Sequence, residues 1–147
     1  MPERSPAETI VTERLASYCE RIDSRRLPQL EEVFAPDCHV CFGSVALTSF
    51  DELVDFLRSG LARFEATQHI VSDILVEEAN ERRIRSLSQV RAWHRFTQPR
   101  PDLTIFGQYR DELIHTPSGW RITEHIGSEL GRESPSLPLP RTTKPGR

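Results

Sequence analysis

Residues 68–128, QHIVSDILVEEANERRIRSLSQVRAWHRFTQPRPDLTIFGQYRDELIHTPSGWRITEHIGS, decide the fold. Four long strands are expected within them, over residues 68–77, 84–96, 104–115 and 119–128, each rich in β-branched and aromatic side chains and bounded by turn formers. Thr116-Pro117-Ser118-Gly119 is the plainest turn and joins the last two strands as a hairpin. Upstream the periodicity changes. Val11, Leu15, Tyr18 and Ile22 recur at spacings of four and three, which lays one apolar stripe along a helix over residues 6–23. Ser5 is its N-cap, Pro6 fits its first position, and Glu8 completes a capping box. A second, short helix is predicted over residues 27–34, carrying Leu30, Val33 and Phe34 and stopped by Ala35-Pro36-Asp37. A short strand over residues 38–42 and a turn at Gly43-Ser44 follow. A third helix begins at Ser49, capped with Glu52, and buries Leu53, Phe56, Leu57, Leu61 and Phe64. Helices first and strands afterwards give an α+β class: a mainly antiparallel sheet covered on one side by three N-terminal helices. A sheet that curls around helices leaves a pocket between the two layers, a usual place for a small ligand.

The chain has 147 residues, a length that suits one domain. Residues 1–132 are read as that domain, and residues 133–147, with Ser134-Pro135-Ser136-Leu137-Pro138-Leu139-Pro140, as a proline-rich, mobile tail. Charged residues make up 28% and the net charge is −3, which argues against nucleic acid as a partner. No apolar run approaches the roughly 18 residues of a membrane helix, and Met1-Pro2-Glu3-Arg4-Ser5 has no signal-peptide core, so a cytoplasmic protein with no membrane partner is expected. Cys19, Cys38 and Cys41 form no disulfide framework. Cys38 and Cys41, three apart on a strand, face opposite ways, so they read as small buried side chains and no metal is expected.

Three residues carry the candidate chemistry: Asp23, His69 and His94. Asp23 ends the first helix, where an acid meets the negative end of the helix dipole and needs a partner or solvent. His69 opens the first long strand on the face of Val71 and Leu75; His94 closes the next on the face of Val90, Ala92 and Phe96. A four-residue loop over residues 80–83 sets His69 directly opposite His94 on one face. A carboxylate bonded to one imidazole nitrogen fixes its tautomer and raises the basicity of the other. Asp23 and His69 therefore read as a general base, and His94 as an acid or hydrogen-bond donor to a departing or developing oxygen. No G-x-S-x-G elbow or glycine-rich phosphate loop occurs. Trp93 is expected on the opposite face from His94, Trp120 as a core anchor, and Arg121 with His125 as a solvated or interface-facing pair.

The order Tyr18-x4-Asp23, Leu30-Glu31-Glu32-Val33-Phe34-Ala35-Pro36-Asp37, Thr67-Gln68-His69, Gly107-x-Tyr109-x-Asp111-Glu112 and Gly119-Trp120-Arg121-Ile122 resembles the SnoaL-like branch of the nuclear transport factor 2-like superfamily over residues 8–129. The resemblance implies a cone-shaped α+β barrel with a deep apolar pocket. Ile22-Asp23-Ser24, Ala66-Thr67-Gln68-His69 and Gln89-Val90-Arg91-Ala92-Trp93-His94-Arg95 are similar to the segments bearing the catalytic aspartate and histidines of scytalone dehydratases. The hexachlorocyclohexane dehydrochlorinases are similar in their Asp–His pair at Asp23 and His69. Where scytalone dehydratases hold a water with two tyrosines, this chain has Ile22 and Phe42. The resemblance thus implies a cofactor-independent lyase, or an isomerase of the ketosteroid isomerase type, acting on a small apolar carbonyl compound. Tyr18, Phe42, Phe56, Val90 and Tyr109 are the expected substrate contacts, and a homodimer or homotrimer is expected through the outer sheet face. The same superfamily holds binding modules and accessory subunits, the alternative for this chain.

Overall fold

The Ser5 hydroxyl accepts the Glu8 backbone N–H at 3.2 Å, and from this cap α1 (Pro6–Asp23) runs as the sequence predicts. Its stripe of Val11, Leu15, Tyr18 and Ile22 is buried, together with Cys19. Full burial of such side chains contributes about 1.5–3 kcal/mol each, which ties the end of this helix to the sheet. The computed structural model describes residues 2–135. After α1 come a 3₁₀ turn (Leu27–Glu32), β1 (Phe34–Phe42), β2 (Val45–Leu47), α2 (Phe50–Leu61), β3 (Phe64–Ala79), β4 (Arg83–Phe96), β5 (Leu103–Thr116) and β6 (Gly119–Glu133). α2 has a reciprocal cap: Ser49 Oγ accepts the Glu52 N–H, and Glu52 Oε2 accepts the Thr48 N–H at 2.7 Å.

The strands form one six-stranded, unclosed, curved sheet in the order β2-β1-β6-β5-β4-β3. All pairs are antiparallel except β1 with β6. The helices pack in its concave face, the α+β cone that the sequence leads one to expect. The second predicted helix is a 3₁₀ turn, and Phe34 opens β1 instead of ending a helix. Ala35-Pro36-Asp37 does not stop the chain; it lies where the β1–β6 register shifts, between Phe34 and His39, and a proline is tolerated at such an irregularity. Phe64 belongs to β3 and not to the last helix. The short β2 hairpin, turned by Gly43 at φ +59, was not foreseen. β6 continues to Glu133, past the expected end of the domain; the rest of the predicted tail, from residue 136, lies outside the described residues. No helix among the described residues is long and apolar enough to cross a membrane.

Three of the register irregularities set how the histidines and Leu75 face. The loop between β3 and β4 pairs Ala79 with Ile84, as expected. Two bulges then intervene, between Ser72 and Leu75 and between Val76 and Glu78. Asp73, at φ +51, sits in the first, and beyond it Leu75 turns outward, 57% exposed, in place of the inward position read for it. Each bulge inserts one residue and flips the pleat; two restore it. His69 and His94 therefore do share a face, but His69 opposes Ala92, and His94 opposes Thr67. The third irregularity lies on β6, where Glu112 pairs with Glu124 and Leu113 with Ile122. Thr123 is thus the extra residue, and it puts Ile122 and His125 on the same inward face. Gly107 marks another close approach: a Cβ there would stand 2.4 Å from the Ser128 carbonyl oxygen, so only glycine fits.

Candidate active site

α1 ends in a Schellman motif: the Arg25 N–H reaches the Ile22 carbonyl at 3.1 Å and the Arg26 N–H the Arg21 carbonyl at 2.9 Å. Arg25 takes the left-handed position at φ +64, where glycine is usual. The turn leaves Asp23 at the edge of the helix, facing β3. Its carboxylate is fully engaged there. Oδ1 lies 2.7 Å from His69 Nδ1 and accepts the Thr67 hydroxyl at 3.0 Å, while Oδ2 accepts the His69 backbone N–H at 2.8 Å. Arg25 explains its strained backbone: one guanidinium nitrogen donates to both the Ile22 carbonyl and Thr67 Oγ1, at 2.8 Å each. Burial lowers the pKa of Arg25 and the Asp23 charge opposes that shift; an arginine stays protonated regardless.

Asp23 accepts at Nδ1, so neutral His69 carries its proton there and leaves Nε2 unprotonated. The pair is sheltered but not sealed, with side-chain exposures of 11% for His69 and 23% for Asp23. His69 and His94 stand edge to face, their ring centres 5.8 Å apart. His94 Nδ1 lies 3.2 Å from the Leu103 carbonyl oxygen, which can only accept. The His94 proton is therefore on Nδ1 as well, and Nε2 is an acceptor. Burial holds the His94 pKa below the usual imidazole value, with the nearby His69 acting in the same direction, and the Leu103 carbonyl opposes it. Neutral His94 thus presents an acceptor nitrogen to the cavity, and the expected role of acid or donor requires the ring to be protonated.

Both rings line a cavity of about 620 Å³ between the helices and the concave sheet face. Tyr18, Phe42, Phe56, Val90 and Tyr109, the expected substrate contacts, all line it too, as does Ile22. Asp23 is not on its wall; it stands behind His69. Phe42 stacks on Phe56, so the position where a second phenol would hold water is an apolar wall. Tyr18 and Tyr109 bring the only phenols of the chain to the cavity. Burial raises both pKa values well above the ordinary tyrosine range, so both stay protonated donors. Trp93 points to the outer face and donates to Asp102, as its parity predicts, and Trp120 packs against the core and stacks on His115. Cys38 is buried and its thiol is pushed up to about 11 by desolvation, while Cys41 is only partly covered.

The pairing of Arg121 with His125 does not hold. His125 is fully buried and its Nδ1 meets Asp111 Oδ1 at 2.5 Å, a second Asp–His pair with no side-chain exposure at either residue. Tyr18, Phe34, Phe42 and Tyr109 surround the ring. The parity count failed because of the extra residue at Thr123. Sequence reading also missed the roles of Arg25 and Thr67. A bulky residue at the left-handed position just after a helix is a signal of a kind, but only the folded chain shows where its side chain goes.

A SnoaL-like domain model matches residues 3–125. The chain belongs to the SnoaL-like domain family. Among curated proteins it is similar to an uncharacterised protein of Mycobacterium tuberculosis, 25% identical over 123 residues, covering 79% of this chain and 80% of that one. A candidate scytalone dehydratase from Novosphingobium aromaticivorans superposes with a TM-score of 0.80 at 23% identity, covering 92% of this chain and 94% of the other. A type 2 hexachlorocyclohexane dehydrochlorinase superposes with a TM-score of 0.82 at 12% identity, covering 96% and 95%. At these identities the likenesses speak for the fold that this SnoaL-like chain shares with them.

Proposed function

We propose that this SnoaL-like protein is a cofactor-independent lyase or isomerase that removes a proton beside a carbonyl group of a small, mainly apolar substrate. The observation that carries the proposal is the 2.7 Å contact between Asp23 Oδ1 and His69 Nδ1 at the wall of an open apolar cavity. It makes His69 Nε2 a base aimed at the substrate, held in one tautomer by a carboxylate that Thr67 and the His69 backbone N–H orient. His94 Nε2 accepts from a substrate hydroxyl and fixes its orientation. Tyr109, kept protonated by burial and accepting from the Tyr18 hydroxyl, is the neutral donor available to the charge that develops on the carbonyl oxygen.

For a β-hydroxy ketone the steps balance without a cofactor. His69 Nε2 takes the α-proton, and the C–H electrons form the new C=C bond as the β-hydroxyl leaves. The proton returns from His69 to that hydroxyl, and water departs. For an isomerase, the same proton returns to a different carbon. The apolar walls strengthen each of these electrostatic contacts relative to water. A homodimer or homotrimer through the outer sheet face belongs to the same proposal.

The test uses a panel of β-hydroxy ketones in deuterated buffer, with α-carbon exchange and water loss followed by NMR. His69→Ala and Asp23→Asn are each expected to cost about 10²–10⁴ in rate. Full activity of His69→Ala on a turned-over substrate would falsify the assignment. A wild-type protein that binds members of the panel and exchanges none of them supports the alternative, a binding module or accessory subunit.

A further inference from the structure

The mouth of the cavity differs in charge from its walls. Arg63, Arg100 and Arg132 reach it, against one acid, Glu129. This local excess of positive charge stands out on a chain whose net charge is −3. Glu129 is already engaged: Arg132 holds both of its oxygens, at 2.6 and 2.9 Å, and depresses its pKa. Nearby Asp102 is engaged as well, accepting from Arg95 and Trp93. Arg63 and Arg100 make no ion pair among the described residues, and residues 136–147 contain no Asp or Glu.

These two guanidiniums are held by aromatic rings instead. Arg63 lies 5.3 Å from the centre of Phe64, and Arg100 lies 3.9 Å from the centre of Phe96. Arg63 spends only its Nε, on the Gly60 carbonyl at 3.4 Å, and a guanidinium placed over a ring in this way keeps its terminal N–H donors for a planar anion and is ordered before that anion arrives. Phe64 in turn touches Phe96 and His94, with ring centres 4.9 and 4.7 Å apart. The Arg63 carbon therefore stands at most 10.0 Å from the His94 ring centre, the two legs of 5.3 and 4.7 Å meeting at Phe64. One aromatic layer separates the cations from the reacting end.

We infer that the substrate is an amphipathic anion: an apolar body seated among the cavity walls, with an anionic oxygen group bound at the mouth by Arg63 and Arg100. This rests on the catalytic reading above for which end reacts. The shared chemistry is that of a carboxylate on a free acid or of the phosphates on a carrier thioester. The arginines contribute by selecting that end and setting its direction in the cavity, so the carbonyl segment meets His69.

The test is a calorimetric titration with 2-naphthoate and with its neutral methyl ester. Wild-type protein is expected to bind the acid about fivefold or more tightly than the ester at roughly 50 mM salt, with the preference shrinking near roughly 500 mM. In Arg63→Met/Arg100→Met the preference disappears while the ester binds within about twofold of wild type, which also reports an intact fold. Coenzyme A is titrated as a competitor of naphthoate: displacement identifies a carrier phosphate as the anion, and no displacement identifies the free carboxylate. Equal affinities of wild type for acid and ester, a preference that survives in the double variant, or no measurable naphthoate binding overturns the inference. His69→Ala is expected to keep the acid preference. Full turnover by that variant alongside a retained preference would therefore remove the catalytic reading and leave this one standing.

Discussion

Two Asp–His pairs occupy the same concave sheet face and differ in access. Asp23–His69 joins a helix end to a strand, with its imidazole on the cavity wall and its carboxylate held by Thr67 and a backbone N–H. Asp111–His125 joins two neighbouring strands, is closed to solvent, and leaves Asp111 Oδ2 and His125 Nε2 without partners among the described residues. The bonded atoms are the same in both. What separates them is whether the second imidazole nitrogen meets a space that a molecule can enter. An Asp–His contact is a base in waiting only where that nitrogen is reachable; in the core it is a packing and hydrogen-bonding unit whose loss is felt in stability.

Mutating each pair in turn is the sharpest way to break the comparison. His69→Ala is expected to lower turnover by about 10²–10⁴ with little change in thermal stability, measured by NMR turnover and calorimetric unfolding on one preparation. Asp111→Ala is expected to do the reverse, costing about 3–5 kcal/mol in denaturant unfolding, because it strands His125 in the core. The double variant Asp111→Leu/His125→Phe is expected to recover much of that loss, since apolar replacements of similar volume relieve both buried polar groups. A double variant no more stable than the single one would mean that the pair itself specifies the fold.

A smaller effect separates the support of the first pair from its members. Thr67→Val removes the hydroxyl that links Arg25 to Asp23. It is expected to lower turnover by about fivefold to tenfold, in line with about 1–1.5 kcal/mol for one such hydrogen bond. Thr67→Ser, which keeps the hydroxyl, is expected to restore turnover, a readout that simple loosening of the helix end would not give.

The smallest effect comes from His94. Its folded pKa is depressed by burial, so below about pH 6.5 the unfolded chain binds a proton that the folded chain refuses. The stability this group contributes is therefore complete above that pH and declines as pH falls toward the folded value. Thermal unfolding between about pH 7 and pH 5 is expected to show a steeper acid decline in wild type than in His94→Gln.

Much of this site was legible before folding, because it rests on local periodicity. The stripe from Val11 to Ile22 fixes where Asp23 lies relative to the buried side of α1. Strand alternation puts His94 inward with Val90 and Phe96. Parity arguments held as long as the strands were regular. They failed at Leu75 and at His125, each one bulge away from the residues used to set the phase. The direct pairing of His69 with His94 did not come through, but their shared face did, since two bulges shifted the register by an even count.

The linear chain therefore determined the α+β class, the α1 cap and the inward parity of His94, since each depends on spacing within elements. Only the tertiary structure decided that Arg25 spans to Thr67, that His94 spends its proton on the Leu103 carbonyl, and that β1 runs parallel to β6. It alone distinguished the open Asp–His pair from the buried one. Spacing is a property of neighbours along the chain, whereas access and hydrogen-bond direction depend on which distant backbone arrives alongside and on how many bulges it passes on the way.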